Sequence, residues 1–244
     1  MTANSSGFFT HCLARETGRI GHLYSPKEQK GPWPWLPYAL DNGAFACWDK
    51  ASNTFDHAKW ASVEHLWFEL IDWAELNKQK PLWGIVPDVV GDAEKTFQKW
   101  DKFNHYLTER KIPLALAAQD GMTPKDVKAL KVQPDILAIG GSDEFKWGTL
   151  EEWVANFPRV HVLRCNMPRR LIPLEAMGVV SIDGTGWDRG DAKQTFGLEK
   201  WARSRAQAST HWLTKGKIKK ARICPQAVIE QKTRAQKALL GDLY

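Results

Sequence analysis

Short apolar runs without polar alternation recur along the chain, separated by longer stretches in which apolar positions return every three or four residues. The runs are 7–14 (GFFTHCLA), 37–41 (PYALD), 82–88 (LWGIVPD), 113–120 (PLALAAQD), 135–141 (DILAIGG), 159–165 (RVHVLRC) and 179–183 (VVSID). Such runs suit parallel strands covered on both faces, and 19–24 (RIGHLY) supplies a candidate eighth. Between them, 92–110 carries Phe97, Trp100, Phe103 and Leu107 near the helical period, and 56–76 repeats Trp60, Trp67 and Trp73 as helix-packing residues. Thr123-Pro124 reads as a helix cap followed by a first-turn proline, and 149–157 and 168–177 read as further helices. Repeated strand–helix units leave a doubly wound sheet or a closed barrel. Neither GxGxxG after the first strand nor GxxxxGK[ST] is present, which favours the barrel. The expected fold is therefore α/β, a (β/α)8 TIM-like barrel over 1–194. A basic helical C-terminal appendage over 195–244 packs on the same domain, with no zinc subdomain.

Composition, charge and residue usage add to this picture. The 244 residues are 43% hydrophobic and 25% charged, as in an ordinary globular protein, and no run of about 18 apolar residues predicts a membrane span. The start, MTANSSGFF, lacks the basic and apolar regions of a signal peptide, so a cytoplasmic protein is expected. The formal charge is +6 with a pI near 9.1, and between Trp201 and Gly241 the one acid is Glu230. This one-signed block, with Lys217, Lys219 and Lys220 in TKGKIKKAR, predicts a polyanionic partner, a nucleic acid; a solvated helical surface is the plainer alternative. The four cysteines are far apart and form no zinc spacing, which fits free thiols in a reducing compartment. Of the 13 tryptophans, Trp48 and Trp187 follow glycine-containing loops, where stacking on a base or sugar and simple packing are equally open.

The candidate chemistry lies where the apolar runs stop. Asp41, Asp88, Gln119 with Asp120, Gly140-Gly141 and Asp183 each end a run. A barrel gathers those ends on one face. An aspartate after a strand is often only a helix cap, a reading strongest for Asp92 and Asp120. Taken together, converging carboxylates without a metal-binding histidine pair suggest acid–base or covalent glycosyl chemistry, with Asp41 and Asp183 as the pair. Asp88, the Gln119 amide and the backbone N–H groups of Gly140 and Gly141 complement a guanine-like edge. Gly184, Gly186 and Gly190 are expected to let a sugar-phosphate backbone approach Asp183, with Trp187 and Arg189 holding that strand.

These segments resemble the queuine/archaeosine tRNA-guanine transglycosylase superfamily. LDNGAF is similar to that family's Asp-Ser-Gly-Gly-(Phe/Tyr) motif, AAQDG to its Gln-Gly segment, LAIGG to its Ala-Ile-Gly-Gly segment, and GVVSID to the strand that ends in the nucleophile. The resemblance spans roughly 36–190. It implies that Asp183 attacks C1′ and expels guanine, that Asp41 transfers protons, and that Phe45 stacks on the base. Asp88, Gln119, Gly140 and Gly141 would recognise that base. A 7-deazaguanine such as the 7-cyano compound preQ0 would then re-attack C1′, with no cofactor. The tRNA enzymes are longer and carry a Cys-rich zinc site after the nucleophile, which this chain lacks. Its shortness and the PDVVGDAEKT segment resemble the phage and bacterial DpdA-type branch that modifies DNA, so DNA is the expected polymer. RNA, a retaining glycosidase and a non-catalytic nucleic-acid-binding relative are the alternatives.

Overall fold

A computed structural model describes residues 1, 7–26, 31–49, 51–52, 54–190 and 192–213, without the side chains of 188–189 and 205–213. In chain order the elements are α1 (Phe8–Thr17), β1 (His22–Tyr24), β2 (Tyr38–Leu40), β3 (Trp48–Asp49), β4 (Thr54–Phe55), α2 (His57–Leu76), β5 (Gly84–Ile85) and α3 (Ala93–Glu109). They continue with β6 (Leu114–Ala118), α4 (Pro124–Lys128), β7 (Ile136–Ile139), α5 (Asp143–Asn156), β8 (Val160–Val162), α6 (Leu171–Met177), β9 (Ser181–Ile182), α7 (Gly186–Arg189) and α8 (Ala192–Leu213).

Seven strands form one sheet in the order β1-β2-β5-β6-β7-β8-β9, every pair parallel. Apart from β3 and β4, a separate antiparallel pair inserted between β2 and β5, neighbours in the sheet are neighbours in sequence, which is the winding of a barrel and not of a doubly wound sheet. The barrel is not closed. β1 and β9 do not pair, so the sheet is a curled half-barrel. Met1 lies along the free edge of β9, its amine donating to the Ile182 carbonyl and its carbonyl accepting from Gly184 N–H at 3.3 Å. A cavity of about 330 Å³, lined by Ile20, Gly21, Leu174, Val180 and Ile182 among others, occupies this seam.

One expected strand is a helix. Residues 7–14 look β-rich, but they fall in α1, which buries Thr10, Leu13, Ala14 and Thr17, a 3–4 spacing, and Gly18 (φ 65°) caps the helix by donating to the Ala14 carbonyl at 2.8 Å. The candidate strand at 19–24 does form, as β1, so the sheet has seven strands and not eight.

Apolar residues line both faces of the sheet. Outside, Leu40, Leu116, Leu137, Val160 and Val162 pack against Trp67, Trp100 and Trp153 of the helices. Inside the curl, Leu23, Ala39, Trp83, Ile85, Ala115 and Ala117 fill the interior. Capping fixes where helices begin: Asp92 accepts from Lys95 N–H (2.9 Å), and Thr123 and Asp126 form a reciprocal capping box. Past residue 194, Leu198 and Ala202 of α8 are buried with Leu13, Leu36 and Leu171, and residues 214–244 lie outside the described residues. Among the described residues, no helix is long and apolar enough to cross a membrane.

Candidate active site

The ends of β2, β5, β6, β7, β8 and β9 deliver polar groups to one cavity of about 160 Å³, where Asp41, Asp88, Gln119, Gly141, Arg164 and Asp183 meet. After β2 the chain turns sharply at Gly43 (φ 73°), where an added Cβ would come 3.0 Å from Pro26 and Val63. That turn presents Asp41 and Asn42 inward and puts Phe45 at the rim.

Asp88 is buried and gripped from two sides. Asn42 donates to Oδ1 (2.7 Å) and Gln119 to Oδ2 (2.6 Å). Asn42 also donates to the Val86 carbonyl, and Gln119 Oε1 accepts from Gly91 N–H at 3.0 Å. Both amides are therefore engaged in fixing Asp88, which leaves its carboxylate as the group facing the cavity.

Asp183 is held differently. Its Oδ1 takes the backbone N–H of Arg164 (3.0 Å) and contacts His161 Nε2 (3.1 Å), while Oδ2 accepts no hydrogen bond among the described residues. His161 is fully buried inside the curl, with its Nδ1 against Ser181 Oγ (2.7 Å) and its ring on Trp83, centroids 4.8 Å apart. Arg164 adopts a left-handed backbone (φ 56°), unusual for a residue with a side chain. This conformation turns its N–H toward Asp183, while its guanidinium reaches the Gly141 carbonyl (2.7 Å) and lies over the Phe45 ring at 4.3 Å.

The three carboxyls titrate apart. Burial, then the negative charges of Asp183 and Asp88, push Asp41 up to about 7. Burial pushes Asp88 up to about 6 against the hydrogen bond from Asn42. Burial also works against the charge of Asp183, yet the hydrogen bonds from His161 and from the backbone N–H of Arg164 hold it below the usual carboxylate range. Burial lowers His161, which is thus a neutral imidazole at neutral pH. Below about pH 7 Asp41 is thus a carboxylic acid on the same cavity as the ionised Asp183, with Asp88 titrating between them, a spread that can separate a proton donor from a nucleophile.

Phe45, Val90, Gly141 and Arg164 line both this cavity and a neighbouring groove of about 850 Å³. One wall carries Trp48, Phe55 and His57. Its acids are mostly committed: Asp92 to Lys95 (3.0 Å), Asp120 to Ser142, and Asp143 to the buried Lys146 (3.1 Å).

The expected site residues fare unequally. Asp41, Asp88, Gln119, Gly141, Phe45 and Asp183 share the cavity. Gly140 lines it too, but its N–H is spent on the Ala118 carbonyl in the sheet (2.9 Å), so only the Gly141 N–H remains as a backbone donor. Trp187 is buried (1% exposed) in the core with Leu13 and Leu171 and cannot stack on a bound strand. The space beside Gly184 and Gly186 is not open to a substrate. It holds Asn166, whose Oδ1 accepts from Gly186 N–H at 2.7 Å and would lie 2.2 Å from a Cβ on Gly184. Asp92 and Asp120 act as cap and tie, outside the reacting set. The Arg189 side chain and Lys217, Lys219 and Lys220 lie outside the described residues. Three contributors carried no sequence signal: Asn42 hid in a turn-like DNG, His161 in mid-strand, and Arg164 just past a strand whose end bears no acid.

No family model and no curated protein matches this chain. Solved structures similar to it include a designed cube-shaped, highly porous protein cage made by fusing symmetric oligomeric domains (12% identity, TM-score 0.48, 99% of this chain and 79% of that one). Tryptophan synthase from M. tuberculosis in an aminoacrylate-bound form is another (10% identity, TM-score 0.46, 82% and 84%). A third is flavocytochrome b2 with sulfite bound (12% identity, TM-score 0.45, 86% and 64%). At these TM-scores the likenesses contribute nothing to the reading of the site.

Proposed function

We propose that this protein is a base-exchanging transglycosylase of the tRNA-guanine transglycosylase type, acting on guanine in DNA and inserting a 7-deazaguanine such as preQ0. The observation that carries the reading is the split pair on one cavity: Asp183, ionised with Oδ2 uncommitted, and Asp41, protonated up to about pH 7. Supporting it, the cavity of about 160 Å³ falls below the few hundred Å³ usual for ligand pockets and suits a single heterocycle. Asp88 and the Gly141 N–H supply the acceptor and donor that a guanine edge requires. The groove outside, walled by Trp48 and Phe55, takes the sugar and a neighbouring unpaired nucleoside by stacking.

In this mechanism Asp183 Oδ2 forms a bond to C1′ as the C1′–N9 bond breaks. The departing purine takes the electron pair, and the Asp41 proton goes to the base. The incoming deazaguanine returns a proton to Asp41, attacks C1′ through N9, and releases Asp183 as a carboxylate. The base must leave the duplex, by flipping or strand opening, to enter so narrow a cavity.

The test is exchange of labelled guanine and preQ0 into single-stranded and duplex DNA, with tRNA in parallel, by wild type, Asp183→Asn and Asp183→Ala. The expected result is exchange on DNA, a covalent protein–DNA adduct on denaturing gels, and a loss of at least about 10³-fold in both variants. Unchanged exchange in the variants would overturn the mechanism. Exchange confined to tRNA would change the polymer while keeping the chemistry.

A further inference from the structure

His161 is a fully buried polar ring packed on Trp83, which belongs to the apolar cluster of Leu23, Ala39, Ile85, Ala115 and Ala117. A buried polar ring needs partners, and burying one without need costs stability. Its partners form a line: Ser181 Oγ to Nδ1 at 2.7 Å, then Nε2 to Asp183 Oδ1 at 3.1 Å. Ser181 and Asp183 both come from β9 and its end, while His161 sits opposite Ser181 in the adjoining β8. Trp83 closes the ring's face. Arg164 N–H donates to the same Oδ1 at 3.0 Å.

We propose that His161 is the positioning residue of the Asp183 nucleophile, oriented in turn by Ser181. Ser181 O–H donates to Nδ1, which fixes the Nε2–H tautomer. Nε2–H donates to Oδ1, which with Arg164 N–H fixes the plane of the carboxylate. Oδ2 is thereby left both uncommitted and aimed at the cavity. His161 touches no reacting atom and gains or loses no proton during exchange. Its contribution is geometry. The kinetic part rests on the transglycosylase reading above, whereas the tautomer does not.

Two substitutions separate this role from simple packing. Gln places an amide N–H near the Nε2 position, and Asn places one near Nδ1. His161→Gln therefore keeps a donor to Asp183, and His161→Asn keeps only the contact to Ser181. The expected outcome is exchange within about tenfold of wild type for the Gln variant. For the Asn variant a fall of about 10²-fold in kcat is expected, with KM for DNA unchanged and a matching fall in the rate of adduct formation. Equal activities in the two variants, high or low, overturn the proposal when both melt cooperatively. Ser181→Ala serves if they do not fold: a drop of about tenfold in kcat supports the proposal and an unchanged rate overturns it. Nitrogen-15 NMR of imidazole-labelled full-length protein reads the tautomer without any substrate. Protonated Nε2 with a shift that moves in Asp183→Asn supports the proposal, and protonated Nδ1 overturns it. Absence of exchange by wild type on every polymer would sink the transglycosylase reading while the NMR result still decides the placement of His161.

Discussion

Asp41 carries the most testable charge in the molecule. Its folded pKa, about 7, lies above the ordinary carboxylate value, so the native state loses stability as pH rises from about 4 to about 7 and stays at that lower level above it. Asp41→Asn removes the ionisation. Thermal melts are expected to show the variant more stable than wild type by on the order of 2 kcal/mol at pH 8, discounted for the side chain's partial exposure, with a smaller gap at pH 5. The same proton has a kinetic reading. Under the transglycosylase mechanism the single-turnover rate of adduct formation falls as pH rises through about 7, because the acid form of Asp41 is the donor to the leaving base. A flat profile from pH 6 to 8.5 would remove Asp41 from that role. Asp41, Asp88 and Asp183 were legible because an acid at the end of an apolar run is conspicuous. His161 was not: a histidine inside VHV is indistinguishable from a satisfied core residue until the strand opposite is known. Gln119 was found for a partly different reason than the one it serves, since both ends of its amide hold Asp88 and Gly91.

At the scale of elements, the alternation of strand and helix was readable because parallel strands covered on both faces have to be apolar throughout. The failure at α1 shows the weakness of that signal. An eight-residue run with two phenylalanines and a cysteine satisfies it, although only the burial of Thr10, Leu13, Ala14 and Thr17 reveals the helical face. Turns after strands matter more to the site than the strands themselves. Gly141 (φ +65°) has Asp120 Oδ2 at 2.5 Å and Phe145 at 2.9 Å from where a Cβ would sit, while Gly18 (φ +65°) has nothing within 4 Å. The two positions share a backbone conformation and differ in surroundings. Gly18→Ala is therefore expected to cost about 1 kcal/mol, from conformation alone. Gly141→Ala is expected to cost about 3 kcal/mol, because Asp120 must release its hold on Ser142 as well. Urea titration of both variants checks the difference, and equal costs would mean that the turn relaxes freely.

At the scale of the whole molecule, the sequential order of the parallel sheet is the part of the barrel expectation that holds, and closure is the part that does not. The number of strands was hard to read because several are only two or three residues long, with little pattern to count. The basic stretch that includes Lys217, Lys219 and Lys220 lies beyond the described residues, so its role is a matter for solution measurement. If these lysines neutralise phosphates, reversing the three charges to Glu lowers DNA affinity and flattens the slope of log K against log salt by about one for each phosphate left unneutralised. An unchanged slope would assign the excess charge to another purpose. The open seam between β1 and β9 bears on the chemistry as well. Asp41 extends from β2, next to one lip, and Asp183 extends from the other lip. A closed barrel is a hoop that fixes such a separation around its circumference. Here the hoop is cut beside Asp41 and Asp183, and the repulsion that adds to burial in raising the Asp41 pKa depends on how far apart the two carboxyls stand. A change that drew the two lips together is expected to raise the Asp41 pKa further, and one that parted them to lower it.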